Sequence, residues 1–293
     1  MWCRPNGESW RASKRQQWAV PHSGSRGTPT VDGNSVYHLS DLGRLTSFEL
    51  STGKERWTVD LRERFGAERP KYGYSESLLI HGSRLICCPG GKDGAVVALD
   101  KENGRTVWAN RAFVDPIGYA SPVPAIIGDV EQFVLLTASR VFAVAAADGR
   151  LLWQHPFGNK RNNNVPDPIV HEGRVFVSTG YGKGSALIRP RRQDGRFTVE
   201  TIWTTELMDN HHGGVVLLDG CLYGSGHESK GWFCLDFETG EQRWQTPGKG
   251  SLTYADGRLY CLDEKGTLTL ITATPEKYDP VGSFSVPKGG RGA

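Results

Sequence analysis

"FELSTGKERW" (Phe48–Trp57) decides the fold, because the chain writes it more than once. "ALDKENGRTVW" ends at Trp108, "AVAAADGRLLW" at Trp153 and "CLDFETGEQRW" at Trp244. Each time a glycine stands four residues before the tryptophan: Gly53 before Trp57, Gly104 before Trp108, Gly149 before Trp153 and Gly240 before Trp244. An acid stands eight before it in three copies (Glu49, Asp100, Asp236), and Ala145 takes that place in the third. With Trp203 of the divergent "RFTVETIW" counted, the tryptophans are 51, 45, 50 and 41 residues apart. A period of about 40 to 50 residues fits one four-stranded propeller blade.

Each copy supplies the other strands of such a blade. A short apolar run ("TPTV", "SLLI", "PDPIV", "GGVVLL", "SLTY") meets a turn at Gly33, Gly82, Gly173, Gly220 or Gly257. A second run follows ("SVYHL", "RLICC", "RVFVS", "CLYGS", "RLYCL"), then a third ending near "LD", then the glycine turn and the tryptophan strand. Short runs joined by glycine-containing turns are the hairpin pattern, and no 3.6-residue periodicity competes with it. The expected fold is therefore all-β: a propeller of four-stranded antiparallel blades at 27–62, 74–113, 119–158, 164–208, 211–248 and 249–287. In the last blade Phe284 is expected where tryptophan should stand. The glycine should supply a positive φ, the acid should accept turn N–H groups, and the tryptophans should plug one blade against the next.

Composition agrees. The 293 residues hold 37 Gly, 16 Pro, nine Trp and nine Tyr but two Met, which is turn-rich and aromatic. A net charge of +3, with no long block of like charge, points away from nucleic acid. "RPRR" (Arg189–Arg192) reads as a solvated loop. There is no apolar run long enough for a transmembrane helix, and the start has no apolar core for a secretory signal. Six cysteines show no CxxC pair, so buried free thiols are expected.

The "ALDxxTGxxxW" pattern resembles the repeat of the pyrroloquinoline-quinone-like (PQQ-like) β-propeller superfamily, which includes quinoprotein alcohol dehydrogenases and the barrel-assembly lipoprotein BamB. "RGTPTVDG", "YGYSES", "CPGGKDGAVVALD", "GYASPV", "NHHGGVV" and "GKGSLTYADGRLY" are similar to the planctomycete-type proteins of that group. The resemblance covers roughly 26–287, flanked by a non-repeat leader (1–25), expected to be irregular, and a tail (288–293). It implies an eight-bladed ring of which six blades are present, hence a fragment or an open arc, and a periplasmic or extracytoplasmic location.

Residues entering the first strand of each blade should converge on one mouth of a propeller. The candidate ligand ring there is Arg26, Tyr74, Glu76, Tyr119, Asn163, Asp167, Asn210, His211, His212 and Lys249. The competing readings are local: "NHHGG" as a carbonyl-bonding turn, Glu76 as a strand cap, "NNNVPDP" as a loop. Adjacent histidines in an extended strand would face opposite ways, which is poor metal geometry, and no metal site is expected. Cys87–Cys88 matches the vicinal cysteines of quinoproteins in type, but it ends a strand, where neighbours point apart. The leading functional expectation is a non-catalytic scaffold binding a protein or carbohydrate partner. The alternative is a PQQ- and calcium-dependent alcohol dehydrogenase. A third reading, a polysaccharide hydrolase or lyase, has no anchoring motif.

Overall fold

The computed structural model describes Cys3 and residues 26–287, so the rest of the leader and the 288–293 tail lie outside the described residues. Six four-stranded antiparallel sheets are present, each with its strands in sequence order. They are β1–β4 (Thr30–Asp32, Ser35–Leu39, Arg44–Glu49, Glu55–Asp60) and β5–β8 (Leu79–His81, Arg84–Cys87, Val96–Asp100, Thr106–Asn110). The third is β9–β12 (Val123–Ile127, Val130–Leu136, Arg140–Ala145, Leu151–Pro156), the fourth β13–β16 (Ile169–His171, Arg174–Thr179, Gly184–Gln193, Arg196–Thr205). The last two are β17–β20 (Val215–Leu218, Cys221–Ser225, Gly231–Asp236, Gln242–Pro247) and β21–β24 (Gly250–Ala255, Arg258–Asp263, Thr267–Thr272, Pro280–Ser285). Among the described residues a single short helix, α1 (Leu61–Phe65), joins the first two blades, capped by Asp60 and closed by Gly66. Among the described residues no helix is long and apolar enough to cross a membrane.

The blades fall into two compact units, the first three in one and the last three in the other, except that 192–197 of the β15–β16 hairpin groups with the first. Within each unit, adjacent blades bury apolar layers between them. Leu85 and Cys87 point to the layer shared with blade one, and Ile86 and Cys88 to the layer shared with blade three. Strand neighbours face opposite ways, and both faces of these blades are covered, so the runs read as continuously apolar. In the second unit, Phe176, Leu187, Leu222 and Phe233 fill one layer, and Tyr223, Cys234, Trp244 and Cys261 the next.

The repeated turn has one geometry. The Gly53 N–H donates to the Glu49 carbonyl at 2.8 Å and the Glu49 N–H to that of Lys54 at 2.8 Å. The same pair of bonds closes the turns at Asp100–Arg105, Ala145–Arg150 and Asp236–Glu241. Asp100 accepts the N–H groups of Glu102 and Asn103, and Asp236 those of Glu238 and Thr239. A β-bulge accompanies each, at Ser47/Phe48, Ala98/Leu99, Ala143/Val144 and Cys234/Leu235.

From that register the tryptophan reaches the following blade's turn. Trp57 donates its indole N–H to the Lys101 carbonyl at 3.0 Å, Trp108 to Ala146 at 3.3 Å, Trp203 to Phe237 at 3.0 Å and Trp244 to Thr274 at 2.8 Å. Trp153 instead turns its N–H to Gln132 Oε1 at 2.6 Å within its own blade. The ring also lies on the next blade's glycine: a Cβ on Gly104 would sit 2.7 Å from the Trp57 ring, and one on Gly240 2.6 Å from the Trp203 ring. So the glycine is required twice, by its positive φ and by the indole against it. Trp108, Trp153 and Trp244 are buried, and Trp57 is partly exposed.

Two local expectations are corrected. In the last blade the bulge pairs Leu270 with Gly282 and Ile271 with Pro280, so Gly282, not Phe284, holds the tryptophan position. The turn there, closed by Thr272 N–H to the Asp279 carbonyl, is two residues longer than the others, so the position falls ten residues after Thr272 instead of eight; Phe284 pairs with Leu268 and is exposed. "RPRR" is not a loop: it lies in β15, where Arg189 and Arg191 share the carboxylate of Glu200 on β16 at 3.1 and 3.0 Å.

Candidate functional site

The sequence-predicted ring divides by unit. In the first unit Arg26 is exposed and its Nη1 donates to the Tyr72 carbonyl at 2.8 Å. The Tyr72 and Tyr119 rings lie 5.9 Å apart. Burial pushes the Tyr119 phenol up to about 12, and this residue holds a φ of 87°, an unusual conformation for a side chain of its size. Tyr74 and Glu76 turn inward instead. Tyr74 is fully buried and its hydroxyl donates to the Pro89 carbonyl at 3.1 Å. Glu76 is buried with both carboxylate oxygens accepting the Cys88 N–H, at 2.9 and 3.1 Å, as a strand-end cap would.

In the second unit the structure brings a cluster together. Asp167 is exposed and not part of it. Asn210 is fully buried and serves the backbone: its Nδ2 donates to the carbonyls of Gly214 (3.0 Å) and Ser225 (2.9 Å). These bonds fold 211–213 into bends rather than a strand. Gly213 makes the fold possible, since a Cβ there would collide with the Gly250 carbonyl. As a result His211 and His212 lie side by side, ring centroids 3.6 Å apart, not on opposite faces as an extended strand would place them.

His211 is buried against Gly180 and makes edge contact with Tyr181 at 4.8 Å. Its third neighbour, His227, lies 4.7 Å away and also meets Tyr181 at 4.8 Å. Asn163 Nδ2 faces His211 Nε2 at 3.3 Å; an amide nitrogen can only donate, so Nε2 accepts and Nδ1 carries the proton. His227 Nδ1 accepts the Tyr181 N–H at 3.4 Å. Burial, then His212, His227 and Lys249, pushes His211 down to about 3. Burial, then His227 and Lys249, also lowers His212, with Glu264 opposing.

Asp209, absent from the sequence-predicted ring, anchors the cluster. It is fully buried, and its carboxylate accepts N–H groups from Gly182 (3.0 Å), His227 (2.8 Å), Glu228 (2.9 Å) and Ser229 (3.3 Å). It thereby fixes the 226–230 loop that delivers His227. "MDNHH" held the signal: an acid just before the histidines with no hydrophobic role. Nothing in the sequence showed that the β18–β19 loop would fold back onto it.

A pocket of about 220 Å³ opens beside these rings, lined by His211, His212, Ser225, His227, Lys249 and Glu264 among others. Lys249 and Glu264 form an ion pair at 2.9 Å on its wall. Among the described residues no group of three or more His, Cys, Asp or Glu is arranged to hold a metal ion.

Blades locked by this tryptophan–glycine turn have known counterparts. A family model described as outer membrane protein assembly factor BamB matches residues 7–246 and again 198–275. The chain belongs to this PQQ-like β-propeller repeat family. Among curated proteins it is similar to outer membrane protein assembly factor BamB of Yersinia pestis, 25% identical over 199 residues, covering 65% of this chain and 46% of that protein. It is also similar to quinoprotein ethanol dehydrogenase of Pseudomonas aeruginosa, 26% identical over 161 residues, covering 50% of this chain and 26% of that one. The chain therefore spans about half, or less, of the length of the curated relatives it matches. Among solved structures, BamB from Moraxella catarrhalis superposes with a TM-score of 0.65 at 18% identity, over 89% of this chain and 74% of that one. A quinohemoprotein alcohol dehydrogenase from Pseudomonas putida gives 0.54 at 12% identity, over 85% and 55%. At these identities the structural likeness speaks for the fold.

The quinoprotein side of the family raises the question of PQQ and calcium. Cys87 and Cys88 are free, buried thiols facing two different inter-blade layers, and burial raises both well above the ordinary thiol range. A vicinal disulfide lying against a cofactor does not fit that placement. The buried carboxylates Glu76 and Asp209 already accept backbone N–H groups.

Proposed function

We propose that this protein is a non-catalytic propeller scaffold that binds a protein partner, in an extracytoplasmic compartment, in the manner that the assembly-factor relatives suggest. The observation that carries the reading is how the acids are used. Buried Glu76 and Asp209 accept backbone N–H groups, and buried Asp115 accepts from Thr137, Ser139 and Arg140, so these three carboxylates are committed to holding the fold. The polar cluster with an opening is instead built of imidazoles, a lysine–glutamate pair and serines around a pocket of about 220 Å³. By itself that is smaller than the roughly 300–1,000 Å³ common for small-molecule sites, and it shares Lys249 and Glu264 with an adjoining pocket of about 400 Å³. It suits a single side chain projecting from a larger surface.

The second reading, a PQQ- and calcium-dependent dehydrogenase, is favoured by the quinoprotein relative alone. Titrating calcium-loaded protein with pyrroloquinoline quinone, followed by absorbance, separates the two. The scaffold reading expects no saturable spectral change and no dye-linked alcohol oxidation. Stoichiometric uptake of the quinone with alcohol oxidation would overturn it.

A further inference from the structure

We propose that the pocket between His212, His227 and Lys249 receives a carboxylate side chain presented by the protein partner, an inference that rests on the scaffold reading. Three imidazoles and an ammonium group converge on one small opening. The alternative occupant of a histidine cluster, a metal ion, is disfavoured by where the nitrogens point. His211 Nε2 is turned to the Asn163 amide and His227 Nδ1 to the Tyr181 N–H, so each ring has one nitrogen committed to the protein. Their opposite nitrogens then carry protons and can donate, which is what a carboxylate requires and a metal does not.

The charged groups around the rings nearly balance, so the hydrogen-bond donors decide the occupant. The groups around the rings are Arg161 over the Tyr181 ring, Asp209, Glu228 of the loop that Asp209 holds, and Lys249 and Glu264 of the pocket wall. Asp209 is saturated by four N–H donors and adds little pull toward a cation. The Lys249–Glu264 pair shows how an acid is already held at the pocket wall, at 2.9 Å, and an incoming carboxylate competes for the same ammonium. Burial first, and then the neighbouring rings and Lys249, lower the basicity of His211 and His212, with Glu264 opposing at His212. A carboxylate beside His212 raises its proton affinity relative to the empty pocket. Binding therefore takes up protons and tightens as pH falls.

The test is a titration of the full chain, ¹⁵N-labelled at histidine, with acetyl-tetraglutamate amide, acetyl-tetralysine amide and inorganic phosphate in parallel. The acidic peptide should shift the His212 and His227 ring signals saturably and bind more tightly at pH 6 than at pH 8. The His212→Ala and Lys249→Met variants should each bind it roughly tenfold more weakly. Glu264→Gln, which frees Lys249, should bind it about threefold more tightly. An unchanged backbone amide spectrum away from the site establishes that each variant is folded. No saturable shift with the acidic peptide, tighter binding of the basic peptide or of phosphate, or weaker binding by Glu264→Gln would each overturn the assignment. If the peptide fails while a photo-crosslinking amino acid placed at position 212 still gives a discrete protein adduct, the scaffold reading stands and the carboxylate assignment falls.

Discussion

Gly104 shows how much one residue can carry in this chain. Its φ of +71° is the left-handed conformation the turn demands, and the Trp57 indole occupies the space where a side chain would begin. The first requirement was legible in the sequence, since glycine before a tight turn announces positive φ. The second was not, because the tryptophan it touches lies a whole blade earlier. Gly173 separates the two effects: its φ is +73°, and a Cβ at that position would meet nothing within 4 Å. Gly173→Ala should therefore cost about 1–2 kcal/mol from conformation alone. Gly104→Ala should cost that plus about 1–3 kcal/mol for overpacking against the indole. Urea unfolding of the two variants measures the gap; equal losses would mean that the glycine–tryptophan contact contributes nothing.

The histidines teach a different lesson at the same scale. Their side-by-side placement follows from Gly213 and from the carbonyls that Asn210 gathers, which put 211–213 in bends, the turn alternative for "NHHGG" rather than extended backbone. "NHHGG" marked the spot. The neighbours that define it, Asp209, Tyr181 and His227, come from loops whose folding no periodicity encodes.

At the scale of the element, the blade was fully legible and its last copy was not. Strand order, turn type and the acid cap all follow from a motif repeated at the period of a blade. The bulge that sets the tryptophan's register does not show in a one-dimensional pattern, so the large aromatic of the last strand, Phe284, points to the wrong position: it pairs with Leu268, and Gly282 holds the tryptophan's place opposite Leu270. The arginine-rich run misled for a related reason: charge suggested a loop, while the unusually long β15–β16 pair uses the same arginines to hold Glu200. The tryptophan is the element's main lock, and its value should track burial. Trp108→Ala should destabilise by about 3–5 kcal/mol. Trp57→Ala, removing a partly exposed ring, should cost clearly less. Denaturation midpoints for both decide this; a smaller loss at Trp108 than at Trp57 would contradict the locking role.

At the scale of the whole molecule, the repeat made the family recognisable long before any site was. Packing residues recur because every inter-blade layer poses the same problem. The residues at the blade entrances differ from copy to copy, and no copy predicts another. Of the expected ring, the second unit brings Asn163, His211, His212 and Lys249 to one neighbourhood, and the first unit takes Tyr74 and Glu76 into its interior. Under the proposed scaffold reading, partner binding is assigned to the histidine pocket. The most direct test is to place a photo-crosslinking amino acid at position 212, and as a control at exposed position 126, in the protein expressed in its native host. Irradiation should give one discrete protein adduct from position 212 and none from position 126. No adduct from position 212, or the same adducts from both positions, would contradict a partner-binding role for this pocket.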